Sequence, residues 1–290
     1  MNTLTSIVSA VDFSEHARFA AERAALIAKE QAATLKLLHV ISGSSLDDLR
    51  HLFLASAHIE ESVIEEARTS LREAAIALSK KTGVPVQEEV ATGQVIAKIQ
   101  AAAEAADLLV LGARGTSTLR DLVLGTTAER LLRVSRCPAL VVKRAPERAY
   151  EQVVVPVDFS TYSAPALTMA GRVAPHARIS LVHAFRVPFE ARLRIAGATD
   201  DAIQRYCDEE RKDAVKRIDR LITDCLPQAQ RTACIVERGD PSPVILAQAQ
   251  AADLIVIGKQ GRSQAEQLLL GSVTRHVLAG STCDVLVVSP

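Results

Sequence analysis

Residues 7–14 of this chain read Ile-Val-Ser-Ala-Val-Asp-Phe-Ser, and residues 153–160 read Val-Val-Val-Pro-Val-Asp-Phe-Ser. Each stretch begins as an apolar, β-branched run that is typical of a buried parallel strand. Each ends on serine, a residue type that often caps a helix. Because the second stretch follows the first by 146 residues, the chain is predicted to contain the same domain twice.

The repeat extends along the whole chain. His39 and His183 correspond at an offset of 144, so the second copy is predicted to lose and regain two residues in loops or helix ends. The sequence therefore predicts two domains, residues 1–145 and 146–290, joined by a short charged linker that contains Pro146. The pairs that keep the offset of 146 are Asp12 and Asp158, Gly93 and Gly239, Asp107 and Asp253, Gly112 and Gly258, Gly115 and Gly261, Gly125 and Gly271, and Cys137 and Cys283.

Strand and helix patterns alternate within each copy. This alternation predicts right-handed crossovers, a parallel sheet with helices on both faces, and a ligand crevice beyond the carboxyl ends of the strands. Ser14 and Ser160 are predicted to cap the first helices, and Pro241 suits a first helical turn. Strands are predicted at residues 7–11, 35–40, 86–90, 108–111 and 139–142, and at 153–157, 179–184, 232–236, 254–257 and 285–288, with long helices at about 59–81 and 201–226.

Charge and composition exclude several classes of protein. The chain has 34 basic and 34 acidic side chains, with 17 of each up to residue 146, so neither half has a field that would hold a polyanion or an anionic membrane. It has no Trp, three Tyr and six Phe, which are few for a protein that stacks single-stranded bases. We therefore expect neither nucleic acid nor a membrane as partner.

Cysteine usage favours a cytoplasmic protein. The five cysteines show no CxxC spacing, which indicates reduced thiols. No signal peptide is expected, because no basic residue precedes the first apolar ones. His51 and His58 could share a helix face, but no third ligand accompanies them in the sequence, so no metal site is expected.

A glycine pattern follows the fourth predicted strand of each copy. Copy one has the spacing G-x2-G-x9-G-T from Gly112 to Thr126, and copy two has G-x2-G-x9-G-S from Gly258 to Ser272. Such glycines let backbone N–H groups approach a phosphate and allow positive φ, and the following helix N-terminus attracts an anion. Asp12 and Asp158 follow the first strands, where a carboxylate can accept hydrogen bonds from ribose hydroxyls or an adenine amino group.

The ordered set of V-D-F-S, L-H-V and G-x2-G-x9-G-[ST] resembles the universal stress protein family, in its tandem two-domain form. The resemblance covers nearly the whole chain. It implies a five-stranded parallel sheet of order 3-2-1-4-5 in each domain, and ATP or ADP binding, with or without Mg²⁺. It also implies that the domains pair through their fifth strands as a pseudo-dimer, while whole chains can dimerise as well and a protein partner stays unknown.

Residue by residue, the resemblance implies one adenosine and phosphate site in each copy. Ala10 stands where the family pattern fits Pro156 better, Thr127 replaces a branched apolar residue, and Asp284 replaces a proline that copy one keeps as Pro138. The implied site residues are Ala10, Asp12, Val40, Leu111, Gly112, Arg114, Gly115, Gly125, Thr126 and Thr127 in copy one, and Pro156, Asp158, Ala184, Ile257, Gly258, Gly261, Gly271, Ser272 and Val273 in copy two.

Each of these features also has a simpler structural interpretation. The glycines could be turns, the two aspartates could cap the following helices, and the two strand-end histidines are expected to be core residues with satisfied nitrogens. Arg114, Lys259 and Arg262 could meet phosphates or could only be solvated. Residues 185–194 mix apolar residues with three arginines, which predicts a lid, a wall for an amphipathic ligand, or a surface helix.

Three functions follow from these alternatives. The first is an ATP- or ADP-binding stress-response protein that acts as a nucleotide-sensing regulator or a protectant. The second is an enzyme, either an ATPase or a nucleotidyl transferase of related fold. Only slow hydrolysis is expected, because neither a P-loop nor an adenylation motif is found in the sequence. The third is a scaffold, or a binding protein whose second copy holds an additional amphipathic ligand.

Overall fold

The computed structural model describes residues 3–44, 57–115, 124–261 and 270–289. The chain divides into two compact units, Met1–Ala149 and Tyr150–Pro290. The predicted boundary after residue 145 lies close to this division and stays a prediction in its exact position.

The first unit is a parallel sheet of five strands in the order β3-β2-β1-β4-β5, with helices between the strands. The order confirms the predicted 3-2-1-4-5 arrangement. The elements are β1 Ser6–Ala10, α1 Glu15–Gln31, β2 Thr34–Ser42, α2 Ala57–Thr82, β3 Val86–Gly93, α3 Val95–Glu104, β4 Leu108–Gly112, α4 Thr126–Val134 and β5 Ala139–Val142.

The second unit repeats this sheet as β8-β7-β6-β9-β10, again with parallel strands. Its additional feature is a short helix after the second strand. The elements are β6 Gln152–Pro156, α5 Ser163–Val173, β7 Arg178–Phe185, α6 Glu190–Ile195, α7 Asp200–Cys225, β8 Thr232–Arg238, α8 Pro241–Gln248 with a 3₁₀ turn Ala249–Ala251, β9 Leu254–Gly258, α9 Ser272–Gly280 and β10 Asp284–Val288.

Burial along the strands follows the apolar pattern. All residues of β5, β9 and β10 are buried, as expected for strands of a parallel sheet that helices cover on both faces. The outer strand β3 has no buried residue, and it carries the exposed Glu88 and Glu89. Glu89 pairs with Lys36 of β2 at 2.9 Å, and Glu88 pairs with Arg72 of α2 at 3.6 Å.

The first helices of the two units begin differently. Ser14 caps α1 by accepting a hydrogen bond from the Ala17 amide, as predicted. The prediction that Ser160 caps α5 is wrong, because α5 begins only at Ser163. The Ser160 carbonyl instead accepts a hydrogen bond from the Ser163 amide, which closes a turn before the helix.

The strand order reverses next to the first strand of each unit. The chain passes from β1 to β2 on one side and reaches β4 on the other, and β6, β7 and β9 have the same relation. In open parallel sheets this reversal leaves a crevice at the carboxyl ends of the two strands. Within the part of the chain that the structure describes, no helix is both long and apolar enough to cross a bilayer.

Candidate functional site

A cavity of about 300 Å³ opens at the carboxyl ends of β1 and β4. This volume lies at the lower end of the range of ligand pockets, which begins at about 300 Å³. The structure brings together every residue that the sequence predicts for this half. The cavity is lined by Ala10, Asp12, Val40, Leu111, Gly112, Arg114, Gly115, Gly125, Thr126 and Thr127.

A cavity of about 360 Å³ lies at the corresponding place in the second unit, between β6 and β9. Again all the residues predicted from the sequence surround it. They are Pro156, Asp158, Ala184, Ile257, Gly258, Gly261, Gly271, Ser272 and Val273.

Asp12 is held in place by the backbone that follows it. Its Oδ1 accepts a hydrogen bond from the Ser14 amide at 3.0 Å, in a turn that precedes α1. Ser14, not Asp12, provides the helix cap, so the capping interpretation of Asp12 is wrong. The other carboxylate oxygen, Oδ2, faces Gly115, where a Cβ would lie 2.5 Å from it.

Asp158 repeats this arrangement. Its Oδ1 accepts hydrogen bonds from the Ser160 amide at 3.0 Å and from the Ser163 hydroxyl at 3.1 Å. A Cβ on Gly261 would lie 2.7 Å from its Oδ2. Each half therefore directs one carboxylate oxygen of a fixed aspartate toward its glycine loop.

The residue after each aspartate has a left-handed backbone, with φ 63° at Phe13 and φ 60° at Phe159. This conformation is unusual for a phenylalanine. Each ring packs on a histidine, with centroids 4.5 Å apart for Phe13–His39 and 4.6 Å apart for Phe159–His183. No residue type in the sequence signals this turn, because left-handed positions favour Gly, Asn and Asp.

The two histidines support the same turn. Nδ1 of His39 donates a hydrogen bond to the Val11 carbonyl, and Nδ1 of His183 donates to the Val157 carbonyl, both at 2.7 Å. Neither histidine is among the residues that line its cavity. Their role is therefore to position the segment that carries the aspartate, in accord with the core interpretation.

The site glycines have three different roles. A Cβ on Gly112 would lie 2.7 Å from the His16 carbonyl carbon, so Gly112 allows β4 to pack closely against α1. Gly115 leaves room for the Asp12 carboxylate, and Gly125 is the N-cap residue of α4. The expectation of positive φ at these glycines is wrong, because among the described glycines only Gly83, Gly93 and Gly197 have it. Space, not backbone conformation, requires glycine here.

The N-terminus of α4 faces the first cavity. Gly125 provides no side-chain cap, and Thr126, Thr127 and Ala128 of the first turn line the cavity. The first N–H groups of a helix lack partners within the helix, so they and the helix dipole favour an anion. The N-terminus of α9 faces the second cavity in the same way, through Ser272, Val273 and Thr274.

The loop cations differ between the two halves. Arg114 is exposed and lines the first cavity. Lys259 is buried and is not among the lining residues of the second cavity, and burial lowers the pKa of its amine below the usual value. Arg262 lies outside the described residues.

Sequence reasoning missed part of each wall. Val95 and Ile99 of α3 line the first cavity, and Pro241 and Ile245 of α8 line the second. These pairs correspond at the offset of 146, which could have identified them as a repeated apolar wall. Tyr162 and Gln260 also line the second cavity, although their counterparts in the first copy have other chemistry.

The arginine-rich segment of residues 185–194 forms the exposed helix α6 and the strand end before it. Arg186 pairs with Asp240, and Glu190 pairs with Arg238 and Arg194. Hydrogen bonds from Arg238 and then Arg194 hold the pKa of the Glu190 carboxyl below its usual value. None of residues 186–195 lines the second cavity. Arg186 and Arg194 belong to a surface ion-pair network, and Arg192 lies over the ring of Phe189.

Fold and cavities together define a tandem, doubly wound α/β protein with one crevice site in each half. The model of the universal stress protein family matches residues 3–143 and again residues 149–289. The chain therefore belongs to the universal stress protein family, as the sequence motifs indicated.

Individual relatives agree with this assignment. The chain is 28% identical to a universal stress protein of Mycolicibacterium smegmatis, over 98% of this chain and 97% of that one. Universal stress protein YxiE of Bacillus subtilis is 28% identical over 46% of this chain and 95% of its own length, so it corresponds to about one unit. A crystal structure of a universal stress protein from Archaeoglobus fulgidus has the same fold, with a TM-score of 0.70, 22% identity and coverage of 98% of both chains.

Proposed function

We propose that each half of the chain binds an adenine nucleotide, ATP or ADP, and that occupancy of these sites regulates its role in a stress response. The observation that carries the proposal is the arrangement within each cavity. In the first, Val40 and Leu111 offer apolar contacts to a base, Asp12 offers an acceptor to a ribose, and the N-terminus of α4 offers donors to phosphates.

Magnesium, where it accompanies the nucleotide, would take most of its ligands from phosphates and water, as Mg²⁺ commonly does. The described residues contain no group of three His, Cys, Asp or Glu side chains placed to hold a metal by themselves. A reducing cytoplasm is the proposed location, in accord with five free cysteines. Pairing of the two units through β5 and β10 stays a prediction.

Regulation is a better fit to these cavities than rapid hydrolysis. Phosphoryl transfer usually requires a cationic clamp on the transferred group. Among the described lining residues, the first cavity has one cation, Arg114, and the second has none. A bound nucleotide would instead shift the protein toward the conformation that binds it best.

Calorimetric titration of the folded chain with ATP is expected to give up to two sites per chain, because both halves keep the same arrangement. The same titration with guanosine triphosphate is the control for base recognition, because this ligand carries the same phosphates on a different base. A chain that is folded by circular dichroism and binds no adenine nucleotide would overturn the proposed function.

The replacement Asp12→Asn tests the ribose contact. Asparagine keeps an oxygen that can accept from the Ser14 amide, but it puts an amino group where Oδ2 would accept from the ligand. We expect a loss of about tenfold in adenosine affinity at the first cavity, the equivalent of one hydrogen bond. Competition by tripolyphosphate should change little. Equal loss for adenosine and tripolyphosphate would place Asp12 at the phosphates instead.

A further inference from the structure

The two cavities differ at the loop position between the first two glycines. Arg114 occupies this position in the first half, and Gln260 corresponds to it at the offset of 146. Both residues line their cavities. A guanidinium keeps its charge at all ordinary pH values and pairs with phosphate through two parallel hydrogen bonds, whereas an amide is neutral. At this position the first cavity therefore has a positive charge that can pair with a phosphate, whereas the second has a neutral amide.

Gln260 is part of a structure that the first half lacks. The Tyr162 hydroxyl donates a hydrogen bond to its Oε1 at 3.1 Å, so the glycine loop is tied to the turn before α5. Gly258 makes this possible, because a Cβ on it would lie 2.5 Å from the Cβ of Tyr162. The counterpart of Tyr162 in the first half is His16, which is not among the lining residues of the first cavity.

Other differences act in the same direction. Thr127, in the first turn of α4, lines the first cavity, while the apolar residue Val273 lines the second at the same position of α9. Lys259 is buried and does not line the second cavity, so it does not supply the charge that Gln260 lacks. The ribose side, in contrast, is similar, since Asp12 and Asp158 accept the same backbone hydrogen bond, to which Asp158 adds one from the Ser163 hydroxyl.

We propose that the two cavities select different classes of adenine ligand. The first prefers the polyphosphates ATP or ADP to AMP, and the second binds an adenine nucleoside or AMP as well as it binds ATP. This inference rests on the proposed function, since it divides the nucleotides between two sites of the same kind. Arg114 and the Tyr162–Gln260 pair are the residues that determine the specificity.

The test is calorimetric titration of the full chain with ATP and, separately, with AMP. In the unmodified chain we expect one site per chain to bind ATP about tenfold more tightly than AMP, and the other site to show no such preference. Gln260→Arg should raise the ATP affinity of the second site about tenfold, and Arg114→Gln should abolish the ATP preference of the first. Gln204→Arg, which adds the same charge to the exposed face of α7, is the matched control and should change neither ratio.

The outcomes separate this inference from the proposed function. Two sites with equal ATP preference, unchanged by Arg114→Gln and Gln260→Arg in folded protein, would overturn the inference and leave nucleotide binding intact. Absence of all adenine nucleotide binding would overturn both. An ATP preference at the second site that disappears in Arg262→Ala would also overturn the inference, because Arg262 would then replace Arg114 in function.

Discussion

Replacement of Gly115 by valine is expected to lower the ATP affinity of the first cavity by about 5- to 150-fold, while the second cavity binds as before. A Cβ at this position would lie 2.5 Å from Oδ2 of Asp12, so the carboxylate or the glycine loop must move. If this displacement destabilises only the ligand-bound state, by about 1–3 kcal/mol, the ATP affinity falls by about 5- to 150-fold. The Asp12 carboxylate and the glycine loop are both proposed to contact the ligand. We therefore expect the ATP affinity to change more than the free energy of unfolding.

Calorimetry on three variants checks this expectation. Gly261→Val is the reciprocal change, since its Cβ would lie 2.7 Å from Oδ2 of Asp158, and it should weaken only the second cavity. Gly115→Ala adds the Cβ alone and should show a smaller effect of the same sign. Valine variants that fold normally and bind ATP like the unmodified chain at both sites would mean that the glycines serve only as turns.

Replacement of Gly112 by valine should act on stability instead, with or without nucleotide. Its Cβ would lie 2.7 Å from the carbonyl carbon of His16 and 2.9 Å from the Ala17 nitrogen, which are backbone atoms at the start of α1. These atoms cannot move unless the helix shifts away from β4. Overpacking of this kind costs about 1–3 kcal/mol, and sometimes more.

Denaturant unfolding followed by circular dichroism measures this loss. Gly43→Ala is a suitable control, because its Cβ would make only an ordinary contact of 3.5 Å with Gly93, and its effect should stay within about 0.5 kcal/mol. Equal stability of the Gly112→Val and Gly43→Ala variants would contradict the close packing of β4 on α1.

Strand order and the convergence of the site residues could be predicted from the sequence through its resemblance to the universal stress protein family, which the chain shows in both copies. Ser14 was predicted correctly as a cap. Ser160 was not, since an additional turn forms before α5. The left-handed turns at Phe13 and Phe159 could not be predicted, because phenylalanine is not a residue that favours them.

Contacts between residues that are far apart in the chain also could not be predicted from the sequence. Tyr162 and Gln260 are 98 residues apart, and only the folded sheet brings the turn before α5 next to the glycine loop. The burial of Lys259 could not be predicted either, because the sequence places this lysine in the loop but does not give the direction of its side chain.

The outer strand β3 affects the tendency of the protein to self-associate. An outermost strand offers unpaired N–H and C=O groups to which a strand of another molecule could add, the first step toward an insoluble aggregate. Here Glu88 and Glu89 stand on that strand, with Arg72 and Lys36 beside them. A neighbour that docked on this edge would have to strip water from these charges. The charged pairs on β3 therefore oppose self-association by strand addition at this edge of the sheet.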